Sequence, residues 1–346
     1  MRAKKLWILL WFVAPSIAAA RVVEPLDRFE RQAIYSARQD TLDKAKCIGT
    51  KRRVMLHCRD RVHYVRMNEW HHNIWQPYIR DLGGAYVGVG ADQGLTFIAW
   101  ARSELGFMID YDPVVVRVNR IHRALILHSR DRLSYLQRWS ELGKRSSLKI
   151  LRTEYAERGD YRQIVSDFKT YRRSLHRHLV TMFKLGRWRN LHWLASASDY
   201  RFLREMFLTD RIRIMAGDLL KQTTLREIGR ATRQLGVPVR VLYTSNAEEF
   251  WPYVDAFRRN VVALPMDRQS VVLRTRHTKR YGPRVGEYIY VVQAGRDFQR
   301  SLLEPATVGV RSILAGRRAK RPGLLTVGVP LLPRRPGVIG PTASLR

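Results

Sequence analysis

From Trp75 onward the chain alternates short apolar runs with amphipathic stretches, and no other feature constrains its fold as tightly. Ala85-Tyr86-Val87, Gly106 to Ile109, Arg211 to Met215 and Val239 to Tyr243 are each too short to make a buried helix, and stretches of helical period separate them. That is the pattern of a parallel sheet with crossover helices. Three later runs, Val261 to Leu264, Ser270 to Thr275 and Glu287 to Val292, add one more parallel strand and a terminal antiparallel pair. The expected fold is therefore α/β and Rossmann-like, a seven-stranded, mostly parallel sheet with helices on both faces.

About a hundred residues separate the second and third runs, far more than a simple crossover needs, so a helical insertion is expected over residues 113–196. Asp112-Pro113 supplies an N-cap and a first-turn proline. Val114, Val118, Ile121 and Leu125 then form one apolar stripe, with Arg117, Arg120 and Arg123 facing away. A longer helix is expected from about Asp160 to Lys184. Its stripe is Tyr161, Ile164, Phe168, Tyr171, Leu175, Leu179 and Met182, and its other side carries Arg162, Lys169, Arg172, Arg173, Arg177 and two histidines. Residues 145–189 hold 12 Lys+Arg against 4 Asp+Glu, a solvated face or a docking surface for an anionic partner.

The flanks differ from this domain, which spans residues 76–300. Residues 1–20 combine Arg2, Lys4 and Lys5, an apolar run from Leu6 to Ile17 and Ala18-Ala19-Ala20, the three parts of a secretory signal peptide. An exported protein, periplasmic or secreted, is expected, with no membrane span once the signal is cleaved. Residues 21–75 read as a mostly helical segment. Residues 301–346 read as a disordered basic tail, since 316–346 contain five Pro, five Gly, six Arg and no acidic residue. Cys47 and Cys58 are the only cysteines. A disulfide, two free thiols and a metal site with nearby histidines are the alternatives, in that order, because His57, His63, His71 and His72 fit no zinc spacing.

At 45% hydrophobic residues the chain can bury a core, which excludes collagen, coiled coil and a disordered polyelectrolyte. Its net charge of +33, falling to +30 without Arg2, Lys4 and Lys5, attracts polyanions.

The chemistry concentrates at strand ends. Gly83-Gly84-Ala85-Tyr86-Val87-Gly88-Val89-Gly90 runs from a strand into a glycine turn, and Asp92 can cap the following helix. Such a turn lets backbone approach a ligand at the carboxyl edge of the sheet. Asp110, at the end of the next strand, can accept hydrogen bonds from both ribose hydroxyls. The third-glycine position of a dinucleotide site is Gln93, which disfavours a pyrophosphate and leaves S-adenosylmethionine as the candidate cofactor. Gly217-Asp218 ends the third strand, where a carboxylate can accept from an adenine amino group. Tyr243-Thr244-Ser245-Asn246 ends the fourth, placing polar groups where donor and acceptor would meet.

The segments Tyr86 to Gln93, Gly217 to Leu219, Tyr243 to Phe250 and Asn260 to Pro265 resemble, in order and spacing, a poorly characterised bacterial family of methyltransferase-like proteins with leptospiral members. The resemblance covers residues 75–295. It implies a class I S-adenosylmethionine-dependent methyltransferase fold with a cofactor turn at Gly88, Gly90 and Gln93, a ribose-side acid at Asp110, an adenine side at Gly217 and Asp218, and a functional loop from Ser245 and Asn246 to Glu249. The chain departs from the family pattern at Tyr86, where an acidic residue is usual, and lacks an Asn-Pro-Pro-Tyr loop. Tyr243, Glu248 and Glu249 are the candidates for positioning or deprotonating a small-molecule methyl acceptor. The alternative expectation is a non-catalytic exported scaffold that holds an anionic envelope component or a protein partner on its basic surface. Nucleic acid is disfavoured because no reading module is present.

Overall fold

The alternating runs form one seven-stranded sheet in the order β3-β2-β1-β4-β5-β6-β7. The computed structural model describes residues 23–42, 63–189 and 191–332. Helix α1 (Arg28–Tyr35), a 3-10 turn (His72–Trp75) and α2 (Gln76–Ile79) precede β1 (Ala85–Val89), α3 (Gln93–Ala101) and β2 (Leu105–Asp110). The helical insertion then comprises α4 (Pro113–Leu127), α5 (Arg132–Trp139), α6 (Lys144–Tyr155), α7 (Tyr161–Arg189) and α8 (Ala197–Leu208). After it come β3 (Ile212–Ala216), α9 (Thr224–Gln234), β4 (Val239–Ser245), α10 (Asp255–Val262) and β5 (Val271–Arg276). The chain closes with β6 (Ile289–Ala294), α11 (Gly295–Leu303), α12 (Val310–Ile313) and β7 (Leu324–Val327). Among these residues no helix is long and apolar enough to cross a membrane.

Strands β1 to β5 are parallel, β6 runs antiparallel to β5, and β7 pairs parallel with β6. Strand order reverses between β1 and β4, so a crevice opens there at the carboxyl edge. Gly88 lies beside Tyr243 in that register. Two cores follow from the pleat, which sends successive side chains to opposite faces. Tyr86, Met108 and Leu273 join α3, α4 and α7 on one face, whereas Val87, Ile109 and Val272 join α1, α9, α10 and α11 on the other.

Local rules explain the insertion. Asp112 caps α4 by accepting from Val114 N at 2.9 Å, and Val118, Ile121 and Leu125 are buried. Arg117, Arg120 and Arg123 turn away from the sheet, yet α6 and α7 cover them. They pair with Asp167 at 2.6 Å, Asp160 at 2.5 Å and Glu154 at 3.0 Å. On α7 the expected stripe holds, with Ile164, Phe168, Leu175, Leu179 and Met182 buried. Arg172 and His178, assigned to its outer side, are buried as well. Helices continue past residue 196 to Leu208.

Three expectations need correction. Val261–Leu264 is not a strand: Phe257, Asn260 and Val261 are buried at helical spacing, and the run ends α10. The antiparallel pair expected from the last two runs is present as β5 and β6, but it does not end the sheet, since β7 pairs parallel with β6 and supplies the edge from residues 324–327. The segment from 301 is also structured as far as 332, because its apolar residues Val310, Leu314, Leu324 and Leu325 pack into the core despite the surrounding Gly and Pro. Residues 1–22 and 43–62 lie outside the described residues, as do 333–346. The signal peptide and the Cys47–Cys58 pairing fall there.

Docking of β7 predicts a cost. Leu325, 1% exposed, should lose about 2–5 kcal/mol on Leu325→Ala in urea unfolding. A change under about 0.5 kcal/mol, the ordinary surface value, would mean that the segment is not part of the core.

Candidate functional site at the carboxyl edge

The crevice over β1 and β4 is filled by a residue from before the sheet. Glu69, just upstream of the 3-10 turn, is 1% exposed. Its Oε2 accepts from Gln93 Nε2 at 2.9 Å and from Tyr243 OH at 2.8 Å. Its Oε1 accepts from Ser245 Oγ at 2.8 Å and from Thr275 Oγ1 at 2.6 Å. Burial raises the Glu69 pKa, and the four donors pull against that rise. Three expected site residues, Gln93, Tyr243 and Ser245, thus converge on one carboxylate of the chain itself.

Gly88 serves a different occupant from the one its motif suggests. A Cβ there would collide with the Tyr86 hydroxyl, and one on Gly94 would come within 3.0 Å of it. The glycines admit the Tyr86 ring between β1 and α3. The Tyr86 hydroxyl is buried without a hydrogen-bond partner among the described residues. Gly90 does meet its expectation as a turn: its φ is +94° and the space beside it is open.

Asp92 makes no side-chain cap on α3. Its Oδ1 accepts from Met67 N at 3.0 Å, while Oδ2 faces His178 Nε2 at 2.9 Å and His192 Nε2 at 3.1 Å. All three residues are buried. Burial alone would raise the Asp92 pKa, but the charge and hydrogen bonds of His178, with those of His192, hold it well below the usual carboxylate range. Burial lowers the His192 pKa, against the pull of Asp92. The ligand atoms of the trio lie within 4.8 Å of one another, a spacing a metal ion could use. The tautomer argues otherwise: His192 Nδ1 accepts from Leu194 N at 3.2 Å, so the ring proton sits on Nε2 and leaves no lone pair there.

The β2–β3 side is arranged more as expected. Asp110 is 7% exposed, its Oδ2 accepting from Gly90 N at 2.9 Å and its Oδ1 from Asp112 N at 2.8 Å. Burial, aided by the charge of Asp112, pushes its pKa up to about 7. Tyr111 beside it is 47% exposed. Gly217 N donates to Asp110 O at 2.9 Å, which ties the ends of β2 and β3 together. Asp218 is partly buried, accepts from Leu220 N at 2.9 Å, and has a pKa raised by burial.

The loop after β4 faces elsewhere. Asn246 starts the 3-10 turn Ala247–Glu249 without a side-chain cap. Glu248 is buried against Arg274 at 3.1 Å and accepts from Thr244 Oγ1 at 2.6 Å and from the Tyr253 hydroxyl. Glu249 pairs with Arg276 at 3.3 Å and accepts from His277 N at 2.8 Å. Both acids anchor the loop to β5. Glu69, bonded to Gln93 and Thr275, and His178 and His192, bonded to Asp92, carry no mark in the sequence, because these partners lie 24 to 206 residues away.

These features define a Rossmann-like α/β protein with a buried acid at the end of β2 and a self-filled crevice over β1. The chain belongs to the DUF7790 family, a domain of unknown function, which matches residues 64–328. A comparison with curated proteins finds no match. The matched stretch takes in Glu69 at one end and β7 at the other, so both belong to the family's domain.

Removing the Asp92 carboxylate should strand His178 and His192 in the core. Asp92→Ala is expected to cost about 3–5 kcal/mol in chemical unfolding at neutral pH. Because the folded-state pKa is depressed, the wild-type advantage is full above the ordinary carboxylate range and is lost only as pH falls below it. An advantage that instead fades between pH 5 and 7 would assign the effect to the histidines.

Proposed function

We propose that this protein binds a nucleoside-bearing small ligand at the carboxyl ends of β2 and β3, with Asp110 accepting from the ribose and Asp218 beside the base. The observation that carries the reading is Asp110 itself. Among the described residues it is a buried carboxyl with no cation against it and only backbone N–H donors, and its pKa, pushed up to about 7, is relieved by any further donor. A ribose diol supplies two. Half-exposed Tyr111 offers a ring for a base to pack on.

S-adenosylmethionine, the cofactor that the resemblance implies, fits this place in part. Its adenosine would meet Asp110, Gly217 and Asp218. Its amino-acid end would fall over Gly88, where Tyr86, Gln93 and Glu69 already fill the space. The residues present suit the nucleoside half and not the methyl-donating half.

The test is calorimetric titration of the protein with adenosine, S-adenosylhomocysteine and S-adenosylmethionine. All three should bind with similar affinity, since the amino-acid end gains nothing. Asp110→Ala should weaken each by about 10- to 150-fold, the loss of charge-assisted hydrogen bonds worth roughly 1.5–3 kcal/mol. Affinity should also fall as pH drops below about 7, where Asp110 takes up a proton. Binding of S-adenosylmethionine at least tenfold tighter than adenosine would restore the full cofactor site, and no binding by any of the three would end the nucleoside reading.

A further inference from the structure

Several acidic residues of the helical insertion are spent inside it. Asp160, Asp167 and Glu154 neutralise Arg120, Arg117 and Arg123 on α4, all partly buried, and Glu141 closes on buried Arg172. The cations left over lie outward on α7. Arg162, Lys169, Arg173, Arg177 and Lys184 are all exposed. At 100° per residue they fall within an arc of about 80°, and at 1.5 Å per residue they run along about 33 Å of helix. Arg173 reaches Glu141 only at 3.8 Å, and the other four have no acidic partner among the described residues. Arg145, Lys149 and Arg152 repeat the pattern on the exposed face of α6, the helix packed beside α7. Leu142 projects from the turn between α5 and α6 and is 89% exposed. Its neighbour Glu141 touches α7 at Arg172 and Arg173, so this apolar side chain stands beside the middle of the ridge.

We propose that the α7 ridge docks this protein on an anionic phospholipid bilayer, with Leu142 entering the headgroup layer. The ridge is cationic, and it offers one narrow face. Its opposite face is locked in the core by Ile164, Phe168, Leu175 and Leu179. A helix so embedded cannot enter a major groove about 12 Å wide, which takes a projecting helix, but it can lie on a flat charged surface. An exposed leucine at the ridge serves an interface with an apolar layer and serves no polyanion in water. The inference is independent of the nucleoside reading.

Co-sedimentation of the full chain with vesicles tests it. Vesicles of one third phosphatidylglycerol in phosphatidylcholine should bind, pure phosphatidylcholine should not, and added salt should weaken binding. Each basic residue near such a surface contributes about fivefold, so the triple change Lys169→Gln, Arg173→Gln, Arg177→Gln should cost about 100-fold. A control triple, Arg201→Gln, Arg226→Gln, Arg268→Gln, removes the same net charge from exposed residues elsewhere and should cost about twofold or less. Leu142→Ser should weaken vesicle binding about fivefold and leave heparin binding unchanged. Equal losses from the two triples would reduce the effect to net charge. No vesicle binding, an unaffected Leu142→Ser, or tighter binding to duplex DNA than to vesicles would overturn the assignment.

Discussion

A buried carboxyl group, Glu69, held by four side-chain donors, ties the carboxyl edge together. Burying an isolated charge is costly, and the cost is offset only when hydrogen bonds replace its water. Glu69 meets that condition with four donors, one each from α3 and β5 and two from β4. Removing any one element would leave the charge under-solvated, so this residue from before the sheet couples the three. It also accounts for Ser245, whose φ of +53° is strained for a side chain of its type. The hydroxyl bond to Glu69 rewards that conformation, and the bulge between Tyr243 and Ser245 in the pairing with β5 lies at the same place.

Asp92 performs the matching task for the insertion. It joins Met67 on the N-terminal side to His178 on α7 and to His192 beyond it. Residues 67 to 69 are therefore clamped twice, by Asp92 through their backbone and by the strand ends through Glu69. The β1 side of the edge is thus made of the chain's own contacts. On the β2 side, by contrast, Asp110 has backbone donors only and Tyr111 is open to solvent. A Rossmann-like edge uses its switch point for a ligand, and in this protein the β1 half of that place is filled by the chain itself.

How far the sequence discloses this follows from the range of each interaction. Strands β1 to β4 and helices α4 and α7 are legible because period and capping are local, as Asp112-Pro113 and the stripe from Ile164 to Met182 demonstrate. The run Val261–Leu264 is misleading, since four apolar residues fit a strand or a helix end equally well. The edge strand β7 is hidden by its neighbours: Gly323 and Gly328 have φ of +76° and +65°, so the glycines that suggest disorder are the turns that bracket the strand. At the site, Gly88, Gln93 and Tyr243 are correctly singled out as lying together, but their partner is not inferable. A motif states that backbone or side chain comes close to something, and here that something is Tyr86 and Glu69.

Charge shows the same limit from another side. A net +33 is read at once, but a sum carries no position. Position comes from pairing, and pairing is decided by packing. Arg117 and Arg120 on α4 are as basic as Arg173 and Arg177 on α7, yet the first pair is enclosed by acids that α7 and its approach bring over them. The second pair is left outside by the same helix. The acids that stabilise the insertion therefore also create its cationic face: each carboxylate turned inward to a covered arginine is one fewer outside to screen the ridge. A surface of this kind arises from the interior's demand for paired charge, so its polarity is as fixed as the core that it encloses.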